Sequence, residues 1–318
     1  MRITQAYCQH LERVVSIDEA RLEYLSQEPP QQKYQFFCSS PGCLAQRVRV
    51  IGVNYQRSAE ESAKYKTPHF REQDKHLPTC DWIISTEKEY FDGRLENETE
   101  QQAKLRKIRR KLSDLIDRFD PRLKDDKSDT DHSSEHTSDE ANFLPFATTS
   151  IKANVHSATT GKNSTGLLSR LVETWREAKR NLSYDELRHL KLEVVGTGTV
   201  YLRDYFRRVL SAWDTNFSGI MYGGARPDFK RYGLGFRLTF FDKINECKLV
   251  MYISKEKMQQ YRYRRYLDTE LKRSDIRYIN VYFIHDGIST YVNGAGQTVY
   301  NIDISDLRHL VLIIEPKQ

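Results

Sequence analysis

Between residues 124 and 166 the chain carries almost nothing that can be buried. The stretch is dominated by Ser, Thr, Asp, Asn and His, with "NFLPF" as its one group of large apolar side chains. Such a segment cannot bury enough surface to offset the entropy of ordering it. A flexible linker is predicted there, and it divides the 318 residues into an N-terminal part, 1–123, and a C-terminal part, 167–318. Both fall within the usual domain size of roughly 100–200 residues. Residues 125–140, "DDKSDTDHSSEHTSDE", are strongly acidic, so the formal charge of +6 understates how basic the rest of the chain is. That balance is compatible with a polyanionic partner without being diagnostic of one. No run of about 18 apolar residues is available to span a bilayer. The N-terminus lacks the apolar core and cleavage site of a secretory signal. The expectation is a cytoplasmic protein without a membrane association.

The five cysteines are too few for a disulfide scaffold in a chain of this size, and their spacing suggests metal. Cys38 and Cys43 are separated by four residues, His76 and Cys80 by three, and His69 lies seven residues before His76. Paired thiolate and imidazole donors at such spacing suit tetrahedral zinc, because each pair can reach one ion from a single turn. Cys38, Cys43 and Cys80 are the strongest ligand candidates, and the fourth place is open between His76 and His69. Four protein ligands close the site and make it structural. Cys8 and Cys247 lack a partner pair, and ordinary core or surface positions suffice for them. The competing account, buried cysteines beside surface histidines, is weakened by the pairing.

Residues 86–119 read as one long charged helix with an apolar stripe of Leu105, Ile108, Leu112, Leu115 and Ile116, closed by Pro121. A solvated face is the plainer reading of its charge run. After the linker, "GLLSRLVETWREAKRNL" predicts a helix, and Ser183 with Glu186 forms the S-x-x-E pattern of a capped helix start. "YLRDYFRRVLSAW" reads as helical. Three strands are expected within 217–254, a helix at 255–272, and strands near 278–285 and 298–314.

The pattern C-x4-C, "PHFR", H-x3-C within residues 35–82 resembles the N-terminal zinc-binding module of competence proteins of the CoiA type. In that family the module precedes a nuclease-like domain of the PD-(D/E)xK class, with the order helix, three strands, helix, strand. Residues 200–285 follow this order. The resemblance implies an α+β protein: a zinc-binding module, a long helix, a flexible linker and a C-terminal α-β-β-β-α-β restriction-endonuclease-like domain. It also implies a role in DNA uptake, a mobile element or phage defence. The family's carboxylates hold one or two divalent ions, Mg2+ or Mn2+, that activate water.

Asp228, following Pro227, with Glu246 and Lys248 as a Glu-x-Lys, gives the candidate catalytic set. A hairpin turning at 242–245 pairs Phe241 with Glu246. It places Leu234, Phe236, Leu238 and Phe240 on one apolar side with Cys247, Leu249, Met251 and Ile253. Glu246 and Lys248 then lie at the turn, roughly 30 Å from Asp228 at about 3.3 Å per residue, too far to share an ion. The positions before Ser254 where the family's Glu-x-Gln would fall are Val250 and Tyr252. The expectation is a nuclease-like fold that is catalytically silent. Its alternative is an active metal-dependent DNA endonuclease in which the three residues meet after all.

The segment 261–266, "YRYRRY", interleaves Tyr261, Arg262, Arg264 and Arg265, and Arg226, Lys230, Arg231 and Arg237 extend the basic set. Arg clamps phosphate and Tyr stacks on bases, so DNA or RNA is the expected partner. An amphipathic helix with Tyr inward and Arg outward fits as well. The third reading is an OB-like or protein-interaction module without catalysis.

Overall fold

The computed structural model describes residues 3–57, 68–83, 98–112, 116, 118–122, 164–165, 167–213, 216–228 and 233–317. The linker expected over 124–166 and the basic residues Lys230 and Arg231 fall outside them, except for 164–165. The protein is mixed α/β, with three sheets among the described residues.

The first sheet is antiparallel, in the order β2-β1-β3-β4-β5: β1 (Gln5–Cys8), β2 (Arg13–Ser16), β3 (Phe36–Cys38), β4 (Arg49–Val53) and β5 (His69–Glu72). Helix α1 (Ile17–Leu25) starts directly after β2, because Ser16 and Glu19 form a reciprocal capping box. An aromatic group of Tyr24, Tyr34, Phe36, Tyr55 and Phe70 fills the core with edge-on contacts, Phe36 and Phe70 having centroids 5.1 Å apart. Cys8 is buried in this core. Helix α2 (Pro41–Ala45) follows β3.

The helix expected over 86–119 spans, among the described residues, only α3 (Glu100–Arg110). Thr99 and Gln102 cap its start in a reciprocal box, and the chain then turns into β6 (Arg118–Phe119). Ile108, Leu112, Ile116 and Phe119 are buried together with Leu168, Leu171, Val172 and Trp175. Of the expected stripe, Ile108, Leu112 and Ile116 are buried, Leu105 is only half-buried, and Leu115 lies outside the described residues. β6 pairs in parallel with β7 (Ser164–Thr165) and β8 (Lys191–Val194), and β8 with β9 (Gly198–Tyr201), as a second sheet. Helices α4 (Leu168–Asn181) and α5 (Tyr184–Leu187) lie between them in sequence. The Ser183–Glu186 box caps α5, with Glu186 N–H donating to Ser183 Oγ at 3.3 Å.

The segment read as one helix at 201–213 is broken into α6 (Leu202–Tyr205), β10 (Phe206–Arg208) and α7 (Val209–Ala212). Phe206 stacks on Trp175 at 4.9 Å, and β10 pairs in parallel with β11 (Ile220–Pro227). Both contacts come from distant parts of the chain and override the local helical pattern.

The largest sheet has the order β15-β16-β13-β12-β11-β14-β17, with β10 beside β11. Its remaining strands are β12 (Phe236–Ile244), β13 (Cys247–Ile253), β14 (Ile276–Phe283), β15 (Gly287–Val292), β16 (Thr298–Asp303) and β17 (Leu310–Pro316). The helix expected at 255–272 is two, α8 (Lys255–Gln260) and α9 (Arg264–Leu271). One side of the sheet packs Phe236, Leu238, Phe240, Leu249, Met251 and Ile253 into a buried cluster with Met221, Ile279, Val281 and Phe283.

The β12–β13 hairpin turns at Asn245 and Glu246, not at 242–245. Both central residues have positive φ, 48° and 60°, the pattern of a two-residue turn that matches strand twist. Asp242 is held instead by Arg208, Nη2 to Oδ1 at 2.9 Å. Thr239 faces Val250 rather than Lys248, and Ile244 faces Cys247, with an irregularity between Thr239 and Lys243. Both slips are even in number, two and four residues, so the expected division into an apolar and a polar side survives. Replacing Glu246 with Gly, which adopts positive φ without steric cost, is expected to stabilise the protein by about 0.5–1 kcal/mol in urea denaturation. A loss of stability there would contradict the turn.

Candidate metal centre

Cys38, Cys43, His76 and Cys80 are all buried, and their ligand atoms lie within 4.8 Å of one another. The sequence folds locally to make this happen. Cys38 ends β3, Ser40 precedes α2, and Cys43 sits on that helix. The Val48 backbone ties the two cysteines together: Cys38 N–H donates to Val48 O at 2.8 Å, and Val48 N–H to Cys43 O at 3.0 Å. The second pair lies after β5, where Cys80 N–H donates to Leu77 O at 2.9 Å. Asp81 N–H donates to Ser40 Oγ at 3.4 Å, and Trp82 Nε1 to Ser39 Oγ at 3.3 Å, which pins this loop against the first.

Two of the separations are close to those around one tetrahedral ion. With metal–sulfur bonds of about 2.3 Å and metal–nitrogen bonds of about 2.0–2.1 Å, ligand atoms stand roughly 3.5–3.8 Å apart along a tetrahedron's edges. Cys38 Sγ and Cys80 Sγ are 3.7 Å apart, and His76 Nδ1 is 3.3 Å from Cys80 Sγ. The 3.7 Å separation is far too long for a disulfide, and all five cysteines are free.

Burial pushes the Cys38 thiol up, and neighbouring Cys80 adds to the shift; burial also raises Cys43. Burial lowers the His76 imidazole, which keeps it neutral. Three packed thiols and a neutral imidazole become good donors once a cation replaces their protons. The Leu77 N–H points at Cys43 Sγ at 3.5 Å, the kind of outer contact that steadies a thiolate. His76 Nε2 is buried without a hydrogen-bond partner among the described residues. The cluster can therefore hold a metal ion, and with four protein donors it leaves no position for a reacting water. His69 is not among the four: it lies on β5 opposite Val53. The H-x3-C spacing was the better guide to the fourth donor.

The candidate catalytic residues do not come together. Asp228 N–H donates to Arg237 O at 2.9 Å, and its carboxylate accepts from Arg237 Nε at 2.6 Å and Thr239 Oγ1 at 3.1 Å. Glu246 sits exposed at the hairpin tip, and Lys248 pairs across the strands with Lys243. From Thr239 to the tip the strand runs on the order of 20 Å.

The basic-aromatic segment 261–266 has an occupation that sequence could not disclose. Arg262 pairs with Glu23 at 2.6 Å, Tyr263 donates to Glu23 at 3.3 Å, and Arg265 pairs with Glu28. Burial pushes the Tyr261 and Tyr263 phenols up. Arg264 stays exposed, donating to Gln259 O at 3.3 Å. Tyr263, Arg262 and Arg265 thus join α9 and its approach to the N-terminal α1 region. Arg226 and Arg237 are elsewhere, on the polar side of the largest sheet, with the Arg226 guanidinium 5.2 Å from the Phe241 ring centre.

No protein-family model, no curated protein and no solved structure matches this chain. Among the described residues, no helix is long and apolar enough to cross a membrane.

Proposed function

We propose that this is a nucleic-acid-binding protein whose N-terminal module is locked by a structural Zn2+ ion, and whose C-terminal domain is a nuclease-like frame that binds without cutting. Zinc is the ion that suits three thiolates and one imidazole in a closed tetrahedral site. The order of α7, β11, β12, β13, α8 with α9, and β14 supports the nuclease-like reading. Its metal-binding carboxylates are missing, because Asp228 is bound to Arg237 and Thr239 while Glu246 occupies a turn.

The observation that carries nucleic-acid binding is the charge on the polar side of the largest sheet. Arg226, Arg237 and Lys248 are exposed on adjacent strands β11, β12 and β13. Among the described residues neither Arg226 nor Lys248 has a carboxylate partner, while Arg237 shares Asp228. Two unneutralised cations, on β11 and β13 with the Asp228-paired Arg237 on β12 between them, are what a phosphate backbone recruits.

The test is binding of labelled DNA and RNA over a range of salt, with and without manganese, followed by denaturing gels. Affinity is expected to fall steeply with salt. Arg226→Gln and Lys248→Gln should each lower the slope against log salt by about 0.7–0.9 for every phosphate contact removed. No binding at any salt would overturn the proposal. Manganese-dependent cleavage that disappears in Asp228→Ala would overturn its non-catalytic part.

A further inference from the structure

We infer that the polar side of the largest sheet is a base-stacking platform for single-stranded nucleic acid, an inference that rests on the nucleic-acid reading above. The same side that presents the cations also presents large rings. Phe241 is 50% exposed, Tyr252 51% and Tyr291 43%, on β12, β13 and β15 of one sheet. Aromatic side chains of this size are normally placed inside, and several exposed on one face signal a binding surface.

The Phe241 ring is held in place rather than left to swing. It lies against Gly224, where an added Cβ would come within 2.9 Å of the ring. Tyr278 meets it edge-on with centroids 6.3 Å apart, and Arg226 stands over it. The missing side chain at 224 is what lets the ring lie down on the neighbouring strand. A fixed ring loses little entropy when a base stacks on it.

Strands stand about 4.8 Å apart, so Tyr252 lies one strand, roughly 5 Å, across the sheet from β12 and Tyr291 three strands, roughly 15 Å; because Tyr252 is opposite Arg237, Phe241 stands four residues, roughly 13 Å, further along the strand direction. Arg237 sits opposite Tyr252, so ring and cation alternate on neighbouring strands. The Tyr291 hydroxyl also faces Arg237. Such a surface offers rings for bases and, in Arg226 and Lys248, cations without a carboxylate partner among the described residues for the phosphates, Arg237 being shared with Asp228, which is the recognition chemistry of unpaired strands. Duplex bases are already stacked on each other and cannot use those rings.

Fluorescence anisotropy on the full chain tests this, with a labelled 20-mer as single-stranded DNA, as single-stranded RNA and as duplex. Single strands should bind at least tenfold more tightly than duplex. Phe241→Leu and Tyr252→Leu should each weaken single-strand binding roughly tenfold while leaving the salt slope and duplex binding unchanged. Both positions are half exposed, and an unchanged urea midpoint would show that the variants fold. Equal affinity for duplex and single strand, insensitive to either ring, would overturn the platform and leave the nucleic-acid reading standing. Absence of binding to all three probes would overturn both. A dimer in sedimentation that dissociates in Phe241→Leu would assign the face to a second copy of the chain and overturn the platform.

Discussion

Cys80→Ser is expected to unfold the N-terminal module while leaving the largest sheet intact. Cys80 lies beside both Cys38 and His76, so its loss removes a donor shared by the whole site. Structural zinc contributes on the order of 10 kcal/mol to small metal-dependent folds, more than most domains possess in total. The module has few other anchors at this point. β3 spans three residues and α2 five, both too short to hold their geometry alone. Hydrogen exchange should show protection lost across β1–β5 and retained in β11–β14. Chelation of the wild-type protein should reproduce that pattern, and Cys8→Ser should not, because Cys8 fills the core without joining the cluster. Retained protection in Cys80→Ser would mean that the core holds the module without metal.

Arg21→Ala is the second large effect. Arg21 is buried between Asp18 of its own helix, at 3.2 Å, and Glu173 of α4, in the C-terminal part of the chain. Arg170 adds a bond to the Thr4 carbonyl at 3.4 Å and approaches Asp18 at 4.0 Å. Removing the arginine strands carboxylates in a buried seam, a change that costs about 3–5 kcal/mol. The pH dependence gives the sign. Burial alone would raise the Glu173 carboxyl, but the Arg21 guanidinium, a hydrogen bond with Asp18 and the charge of Arg176 together hold the group below its ordinary value. A depressed carboxylate contributes stability above the unfolded value of about 4.3, and that stability is lost as pH falls through the folded value. In Arg21→Ala the same carboxyl is pushed up by burial instead, so it destabilises at neutral pH and is relieved on protonation. The gap in urea midpoint between the variant and the wild type should therefore be widest near pH 7 and narrow towards pH 4. A gap independent of pH would show that packing, not charge, makes the contact.

Those two regions also show how far sequence could reach. The Cys and His spacing was readable because metal chemistry needs particular atoms at short separations, and the H-x3-C pair reaches the cluster as a unit. The division of β12 and β13 into two sides was readable because alternation survives an even slip, although the turn itself was misplaced. Asn245 accepts positive φ and was a local cue for that turn, while the pairing that draws Asp242 off comes from Arg208, outside the hairpin. What stayed hidden depended on distant partners. The segment 201–213 has a helical pattern that Trp175 and β11 override. The Tyr and Arg residues of 261–266 looked like a nucleic-acid surface because their acidic partners, Glu23 and Glu28, lie more than two hundred residues away. The exposed rings of the largest sheet were missed for a related reason. Phe241, Tyr252 and Tyr291 belong to strands whose neighbours are set by topology, and no window of sequence contains all three.

The most direct measurement is metal content joined to cobalt substitution. Protein purified without added metal should contain one zinc per chain. Replacing it with Co2+ should give the intense visible absorption of a tetrahedral ion and the near-ultraviolet charge-transfer bands of three thiolates, both lost in Cys38→Ser and unchanged in His69→Ala. Protein that is metal-free yet fully folded, or cobalt bands that survive Cys38→Ser, would contradict the closed centre on which the N-terminal module is built.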